Sequence, residues 1–144
     1  MRFMIIRKAD SKTEAGVLPS EELMRAMMAY NEELARAGVL LGGLGLQPSS
    51  KGVRVTFRDG KASVTDGPFT EAKELIAGFT LIEVASKEEA IEWVKRWPTL
   101  DVGDEDGLQI EIRQLFEPTE LTQDPQILQQ MSEVQAENSP LRKP

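Results

Sequence analysis

The sequence contains no cysteine and no histidine. Without cysteine, the chain can form neither a disulfide nor a thiolate metal site, and it has no thiol nucleophile. Without histidine, it lacks the most common general base and metal ligand, and a Ser-His-Asp triad is excluded. Any acid–base chemistry must therefore come from carboxylates, lysine, the single tyrosine Tyr30 or a bound cofactor.

The acidic residues show no pattern that is typical of a metal site. Carboxylates alone can bind magnesium or calcium, but here they have no regular ligand spacing. The most acidic stretch, TLDVGDEDG at residues 99–107, lacks the spacing and the terminal glutamate of a calcium-binding EF-hand loop. We therefore expect no metal and no cofactor.

Long apolar runs and an excess of basic charge are also missing. No stretch approaches the length needed to span a bilayer, and the apolar run in MRFMIIRKAD is too short for a signal peptide. With 17 basic and 24 acidic residues the net charge is −7, which argues against non-specific nucleic-acid binding. The length of 144 residues suggests one domain, and we expect a cytoplasmic protein without membrane contact.

Apolar patterns of two different periods alternate along the chain. Short apolar runs predict strands at residues 3–6, 39–47, 53–57, 61–65, 78–85 and 108–112. Two helices with serine N-caps are predicted over residues 20–37 and 86–97. The dipeptide Asp59-Gly60 predicts a tight hairpin turn, and residues 10–19 are predicted to form a loop.

The glycine-rich segment VLLGGLGLQPSSKG, residues 39–52, allows two interpretations. Its G-x-G pattern could indicate phosphate binding, but the segment follows a predicted helix and no helix clearly begins after it. We therefore favour a bulge or a close backbone approach within a strand.

The order of the predicted elements indicates an α+β fold. The order strand, helix, strand with hairpin, strand, helix, strand fits a ferredoxin-like sandwich, in which both helices cover one face of a largely antiparallel sheet. Residues 3–6 and 78–84, however, are apolar on both sides, and a monomer would expose one of those sides. Two such sheets packed face to face would cover it, so we predict a homodimer.

Beyond Phe116 the composition shifts towards glutamine, glutamate and proline. We predict a domain over residues 1–117 and a tail over residues 118–144 that contains one amphipathic helix. The apolar stripe of that helix consists of Ile127, Leu128, Met131 and Val134. Because a lone helix of this length is marginal in water, we expect it to pack on the domain or on a partner subunit.

The stretch DGPFTEAKELIAGF, residues 66–79, closely resembles the signature of the YCII-related proteins, in particular of their DGPF subgroup. The upstream stretch PSEELMRAMMAYNEELARAGVLLGGLGLQPSSKGVRV and the downstream SKEEAIEWVKR are similar to the same family, so the resemblance spans about residues 1–117. It implies a dimeric α-β barrel built from ferredoxin-like subunits, with a cleft beside the sheet that is proposed as an active site without a settled reaction. Subgroup members often carry an acidic residue and a histidine in the segment where this chain has Leu44 and Gln47.

The DGPF signature corresponds to Asp66, Gly67, Pro68 and Phe69 and continues through Lys73 and Glu74. In a structural interpretation, Asp66 accepts a hydrogen bond from a backbone N–H two residues on, as in an Asx-turn, and Phe69 fills the core. In a functional interpretation, Asp66 lines the cleft as a general base or a hydrogen-bond acceptor, with a pKa raised by partial burial beside apolar walls such as Phe69. Lys73 would then neutralise a substrate carboxylate, whereas in the structural interpretation Lys73 and Glu74 are a solvated pair.

Two further groups of residues are candidates for anion contacts. Ser49, Ser50 and Lys51 are turn residues that could bind an anion through hydroxyls and backbone N–H groups. Arg7 and Lys8 end the first strand and could do the same. Two classes of function stay open. One is a metal-independent enzyme acting on a small anionic or carbonyl-bearing molecule, and the other is a non-catalytic ligand- or partner-binding module linked to transcription.

Overall fold

The computed structural model describes residues 1–71, 74–102 and 107–138, with Asn138 described by its backbone only. Its strands are β1 (Arg2–Lys8), β2 (Leu40–Gly45), β3 (Val53–Arg58), β4 (Lys61–Asp66), β5 (Ile76–Glu83) and β6 (Ile110–Gln114). Its helices are α1 (Ser11–Glu14), α2 (Glu21–Arg36), α3 (Lys87–Val94), α4 (Pro118–Leu121) and α5 (Pro125–Asn138). Short 3-10 turns lie at Ser49–Lys51 and Thr99–Asp101.

Four of the strands form an antiparallel sheet in the order β2-β5-β1-β6. Helix α2 lies in the chain between β1 and β2, and helix α3 lies between β5 and β6. This strand order, with two connecting helices, is the split βαβ arrangement, which confirms the predicted ferredoxin-like α+β fold. The hairpin β3–β4 forms a separate two-stranded sheet and does not extend the larger one.

The hydrophobic core lies between one face of the four-stranded sheet and the helices α2 and α3. Its buried side chains are Phe3, Ile5, Tyr30, Leu34, Val39, Ile82, Val84 and Ala90. Within this core the Tyr30 hydroxyl donates to the Trp93 carbonyl at 2.7 Å, and the Tyr30 ring lies 5.5 Å from the ring of Trp97. The amphipathic pattern of each helix therefore supplies one wall of the core, and the alternation of the strands supplies the other.

The opposite face of the sheet is apolar as well, as the sequence predicts. Met4 pairs with Leu81 and Ile6 pairs with Phe79 across β1 and β5. All four of these side chains are only half-buried, because both core-forming helices lie on the other side. We call this surface, made of Met4, Ile6, Phe79 and Leu81, the open sheet face.

Two of the turn and strand predictions can be compared directly with the structure. Asp59 and Gly60 have φ values of 52° and 74°, which matches the hairpin turn that Asp-Gly predicts. In β2 the register shifts between Leu40 and Gly42, and a Cβ on Gly43 would lie 2.7 Å from the Phe79 carbonyl oxygen. The glycine-rich segment thus forms a bulged strand with a close backbone approach, as the favoured interpretation predicts.

The segment 10–19 is not entirely a loop, contrary to the prediction. It contains the one-turn helix α1, which is capped by Asp10: the Thr13 backbone N–H donates to the Asp10 carboxylate at 2.8 Å. The Thr13 hydroxyl accepts in return from the Asp10 backbone N–H at 2.9 Å. This reciprocal capping box stabilises a turn that is too short to show apolar periodicity in the sequence.

The tail contains the short helix α4 in addition to the longer α5. Arg2 binds Glu117 through two hydrogen bonds of 3.2 and 3.1 Å, which ties the start of the tail to β1. Along α5, Leu128 and Met131 are half-buried, whereas Ile127 is 43% exposed and Val134 is 61% exposed, so the rest of the chain covers only part of the apolar stripe. Throughout the described ranges, no helix has the length and apolar character required to cross a membrane.

Candidate functional site

The DGPF segment packs against the 3-10 turn Ser49–Lys51 that precedes the hairpin. The Gly67 backbone N–H donates to the Gly52 carbonyl at 2.9 Å. A Cβ on Gly67 would lie 1.8 Å from the Ser49 carbonyl oxygen, which is far inside van der Waals contact. Only glycine fits at this position, so the second letter of the DGPF signature has a steric explanation.

Ser49 connects three segments of the chain. Its hydroxyl donates to the Glu14 carboxylate at 2.5 Å and accepts from the Phe69 backbone N–H at 3.0 Å. The Ser49 backbone N–H also donates to Glu14, at 3.2 Å. The two groups of Ser49 that could bind an external anion are therefore occupied by a carboxylate of the same chain.

The Asx-turn expected at Asp66 does not form. Pro68, two residues on, has no backbone N–H to donate, and the next N–H, that of Phe69, is bound by Ser49. Asp66 ends β4 with an exposed side chain. No hydrogen bond holds that side chain among the residues that the structure describes.

Phe69 carries a cation on its ring. The Arg54 guanidinium carbon lies 3.8 Å from the centroid of the Phe69 ring, in a cation–π contact. Phe69 is half-buried, and it is absent from the hydrophobic core. The structural interpretation, in which Phe69 fills the core, is therefore wrong, because the ring packs on Arg54 of the hairpin and is not part of the core cluster.

The other predicted site residues are scattered. Ser50 and Glu74 are exposed, and the Glu74 backbone N–H donates to the Glu71 carbonyl at 2.9 Å. Lys73 lies outside the described residues. Lys8 ends β1 opposite Ile76, and in the described ranges no ion pair or hydrogen bond connects its ammonium group to the DGPF segment. The structure thus brings Ser49, Gly67 and Phe69 together and leaves Lys8 elsewhere.

Arg7 is not available for an external anion. It is buried, and its guanidinium binds Asp101 at 2.8 and 3.1 Å and Asp10 at 3.3 Å. Burial alone would lower the pKa of Arg7, but the hydrogen bonds and charges of Asp101 and Asp10 outweigh burial and raise that pKa. The Trp97 indole N–H donates to the same Asp101 carboxylate at 2.9 Å. This network joins β1 to the segment after α3.

Two participants at the DGPF segment are not apparent from the sequence. Glu14 falls in a segment predicted as a loop, and no motif connects it with Ser49, which is 35 positions away. Arg54 lies on the hairpin face that the alternation marks as polar, where exposed basic residues are ordinary. No local signal connects Arg54 with Phe69, which lies 15 positions further along the chain.

Two cavities of the described chain are lined by residues outside the DGPF segment. One is a narrow slot within the core, between Ile5, Tyr30 and Trp93. The other is an open groove of about 330 Å³ between the tail and the sheet, lined in part by Arg2, Glu83 and Leu128. Across the described ranges, no cluster of three acidic side chains is placed to hold a metal ion.

A family model and a known protein each match part of this chain. A model of the YCII-related domain matches residues 1–111. An uncharacterized protein of Rhizobium meliloti (strain 1021) is 35% identical over 75 residues, which cover 52% of this chain and 60% of that protein. The match therefore spans less than two thirds of that relative.

Among solved structures, the 5-chloro-2-hydroxyhydroquinone dehydrochlorinase TftG from Burkholderia phenoliruptrix AC1100, in complex with 2,5-dihydroxybenzoquinone, is similar at a TM-score of 0.45. It is 16% identical, and the match covers 83% of this chain and 98% of that one. A similarity of this degree says nothing about the activity or the ligand of the present chain. The family model, in contrast, spans well over half of the sequence, and the chain belongs to the YCII-related family.

Proposed function

We propose that this protein is a homodimeric member of the DGPF subgroup that binds a small anionic molecule beside residues 66–69. The binding group is Arg54, whose guanidinium lies over the Phe69 ring at 3.8 Å. A stacked guanidinium keeps its N–H edge directed outward in a fixed plane, which suits two-point recognition of a carboxylate or phosphate. No described side chain occupies those N–H groups through a hydrogen bond.

The surroundings of Arg54 support the same proposal. Gly67 and Ser49 hold the DGPF segment in one position, so that Phe69 can hold the guanidinium without a large loss of conformational freedom on binding. Lys51 is exposed at the end of the adjoining turn and adds positive charge. A small molecule that carries a carbonyl group beside its carboxylate suits this combination of two cations and an aromatic ring.

Binding is favoured over acid–base catalysis by the state of Asp66. A carboxylate that acts as a general base near neutral pH needs a raised pKa, which comes from burial beside apolar walls. Asp66 is exposed along with the rest of β4. In a catalytic alternative a partner subunit would have to cover Asp66, and Asp66→Asn would then abolish turnover without loss of binding.

The proposed homodimer rests on the open sheet face. Four apolar side chains in two cross-strand pairs are left half-buried on a face that carries no helix α2 or α3. The same face of a second copy would cover them through a two-fold axis and form the dimeric α-β barrel. The tail helix, whose Ile127 and Val134 are exposed, adds a second surface for the partner subunit.

Anion binding is tested by NMR titration of the isotope-labelled protein with pyruvate, benzoate and inorganic phosphate. We expect saturable shifts at residues 49–54 and 66–71 with at least one of them. Arg54→Gln should weaken that binding by about tenfold or more. The matched control is Arg58→Gln, which removes an equal charge from the same strand away from the Phe69 ring. Equal losses in both variants, or no saturable shift with any probe, would contradict the proposal.

The homodimer is tested by light scattering with the Leu81→Asp variant. A charge on the open sheet face should raise the dimer dissociation constant by about tenfold or more. Met28→Asp is the control, because Met28 is 54% exposed on α2, on the other side of the sheet. A wild-type chain that scatters as a monomer would contradict the homodimer, and so would a Leu81→Asp variant that remains fully dimeric.

A further inference from the structure

The hairpin β3–β4 projects from the domain as a two-stranded ribbon. All twelve of its strand residues are exposed, and the ribbon forms no hydrogen-bonded ladder with the larger sheet. An isolated two-stranded hairpin is marginally stable in water, because two strands bury too little apolar surface. A ribbon of this kind therefore gains stability when one of its faces packs on another surface.

The two faces of the ribbon differ in chemistry. The register pairs Val55 with Val64, Phe57 with Ala62 and Val53 with Asp66. The apolar side chains of these pairs therefore share one face, which also carries Asp66 beside Val53 at the base of the ribbon. The exposed fractions are 57% for Val53, 49% for Val55, 80% for Phe57 and 66% for Val64. The other face carries Arg54, Arg58 and Lys61 with polar neighbours. We call the first of these the apolar arm face.

The charge of the ribbon is opposite to that of the rest of the chain. Residues 51–66 contain four basic and two acidic residues, which gives +2. The remaining 13 basic and 22 acidic residues give −9, which together make the net charge of −7. The net positive charge of the arm favours its approach to a complementary acidic surface, while the apolar arm face makes the contact itself. A surface that is acidic and exposes apolar side chains exists on this chain.

Helix α5 provides an example of that complementary surface. Ile127 and Val134 are 43% and 61% exposed, and residues 125–138 contain two glutamates and no basic residue. The arm of one copy cannot cover the apolar surfaces of its own domain, since all of its residues remain exposed in the single chain. A second copy offers the same acidic and apolar surfaces without that restriction.

The surface area that a stable dimer buries also favours a contact between the arm and a second copy. A stable interface buries about 800 Å² on each partner, which is more than one short ribbon face provides. The open sheet face, with its two cross-strand pairs, supplies a further part of the area. An arm that reaches onto the partner would extend that contact and, by symmetry, would do so twice in each dimer.

We propose that the β3–β4 ribbon is a dimerisation arm whose apolar face, Val53, Val55, Phe57 and Val64, packs on a second copy of this chain. The inference rests on the proposed homodimer and adds to it the identity of the segment that reaches the partner. Because Arg54 lies on the opposite face of the arm, the contact leaves the Arg54–Phe69 pair on the side away from the packed surface.

Paired charge substitutions test which face of the arm is used. Phe57→Asp should raise the dimer dissociation constant by about tenfold or more, because Phe57 contributes most of the exposed aromatic surface. Thr56→Asp introduces the same charge one residue away on the polar face, and we expect a change below about twofold. Analytical ultracentrifugation measures both constants. A Phe57→Asp variant that dimerises as tightly as the Thr56→Asp variant overturns the proposal.

Photo-crosslinking tests the partner directly. Benzoylphenylalanine replaces Phe57 in one preparation, which is mixed with an isotope-labelled wild-type preparation and then irradiated. We expect crosslinks from position 57 to labelled peptides. Crosslinks confined to unlabelled peptides of the same chain, in a sample that light scattering shows to be dimeric, would overturn the arm and leave the homodimer intact. A monomeric sample would instead contradict the homodimer and the arm together.

Discussion

Gly67 lies so close to Ser49 that a Cβ on residue 67 would stand 1.8 Å from the Ser49 carbonyl oxygen. The contact is between two backbones, so no rotation of a side chain can relieve it. The contact joins the turn before the hairpin to the turn after it. The hydrogen bond from the Gly67 N–H to the Gly52 carbonyl strengthens the same connection. The position of the DGPF segment therefore depends on the absence of a side chain.

Gly67→Ala should lower the free energy of unfolding by about 2–3 kcal/mol, since the two backbones must separate to admit a methyl group. Urea denaturation followed by circular dichroism measures the change. Gly45→Ala is the control, because a Cβ at Gly45 meets nothing within 4 Å and we expect a change within about 0.5 kcal/mol. Similar midpoints for the two variants would show that the contact is relieved at little cost.

Ser49→Ala should lower the free energy of unfolding by about 1–3 kcal/mol, because it removes the hydroxyl that donates to the Glu14 carboxylate and accepts from the Phe69 N–H. Hydrogen exchange at the Phe69 amide should become faster in this variant. Ser50→Ala, at the exposed neighbouring residue, should change stability by less than about 0.5 kcal/mol. An unchanged Phe69 exchange rate would be inconsistent with the hydroxyl as its acceptor.

The single tyrosine should ionise only in strongly alkaline solution. Burial raises the pKa of Tyr30 from 10.0 to about 12. Because the folded pKa is raised, the unfolded chain loses its proton first, and stability should fall as the pH rises from about 10 towards 12. The tyrosinate absorbance band reports this group alone. If the Tyr30 hydroxyl of the folded protein ionised near pH 10, that result would contradict the burial of this side chain.

Tyr30→Phe is the matched variant for the alkaline effect. It keeps the ring beside Trp97 and removes the hydroxyl that donates to the Trp93 carbonyl. We expect a loss of about 1 kcal/mol near neutral pH. Between pH 10 and 12 the stability of this variant should decline less steeply than that of the wild type.

Asp101→Asn should lower the free energy of unfolding by about 2 kcal/mol or more, because it leaves the largely buried Arg7 guanidinium without its main counter-charge. Thermal or urea unfolding measures the change. Glu32→Gln removes an exposed ion pair with Arg36 and should cost less than about 0.5 kcal/mol. Equal losses of stability in the two variants would mean that the buried Arg7–Asp101 ion pair contributes no more to stability than an exposed one.

Truncation to residues 1–117 should leave a domain that unfolds cooperatively, because all six strands and both core-forming helices lie within it. The shortened chain retains Glu117 and its two hydrogen bonds to Arg2. A urea titration of the shortened and complete chains provides the comparison. Loss of the cooperative transition would show that the tail belongs to the core and that the division at residue 117 is wrong.

The sequence by itself determined the elements and the order of the sheet. Apolar runs of period two, helical stripes after Ser20 and Ser86, and the Asp59-Gly60 turn are local patterns, and each corresponds to an element of the structure. With short connections and no knots, this order of elements leaves few arrangements besides the ferredoxin-like one. Helix α1 was missed because a single capped turn carries no periodicity.

The surroundings of the DGPF segment were decided by the tertiary structure. Ser49 forms hydrogen bonds with Glu14, 35 positions away, and with Phe69, 20 positions away. No sequence pattern in the residues between them indicates either contact. The expected Asx-turn at Asp66 fails because Pro68 has no backbone N–H, and only the fold shows that the next N–H, that of Phe69, is bound by Ser49. Local patterns report the covalent neighbours of a residue, whereas hydrogen-bond partners and exposure depend on which segments the fold brings into contact.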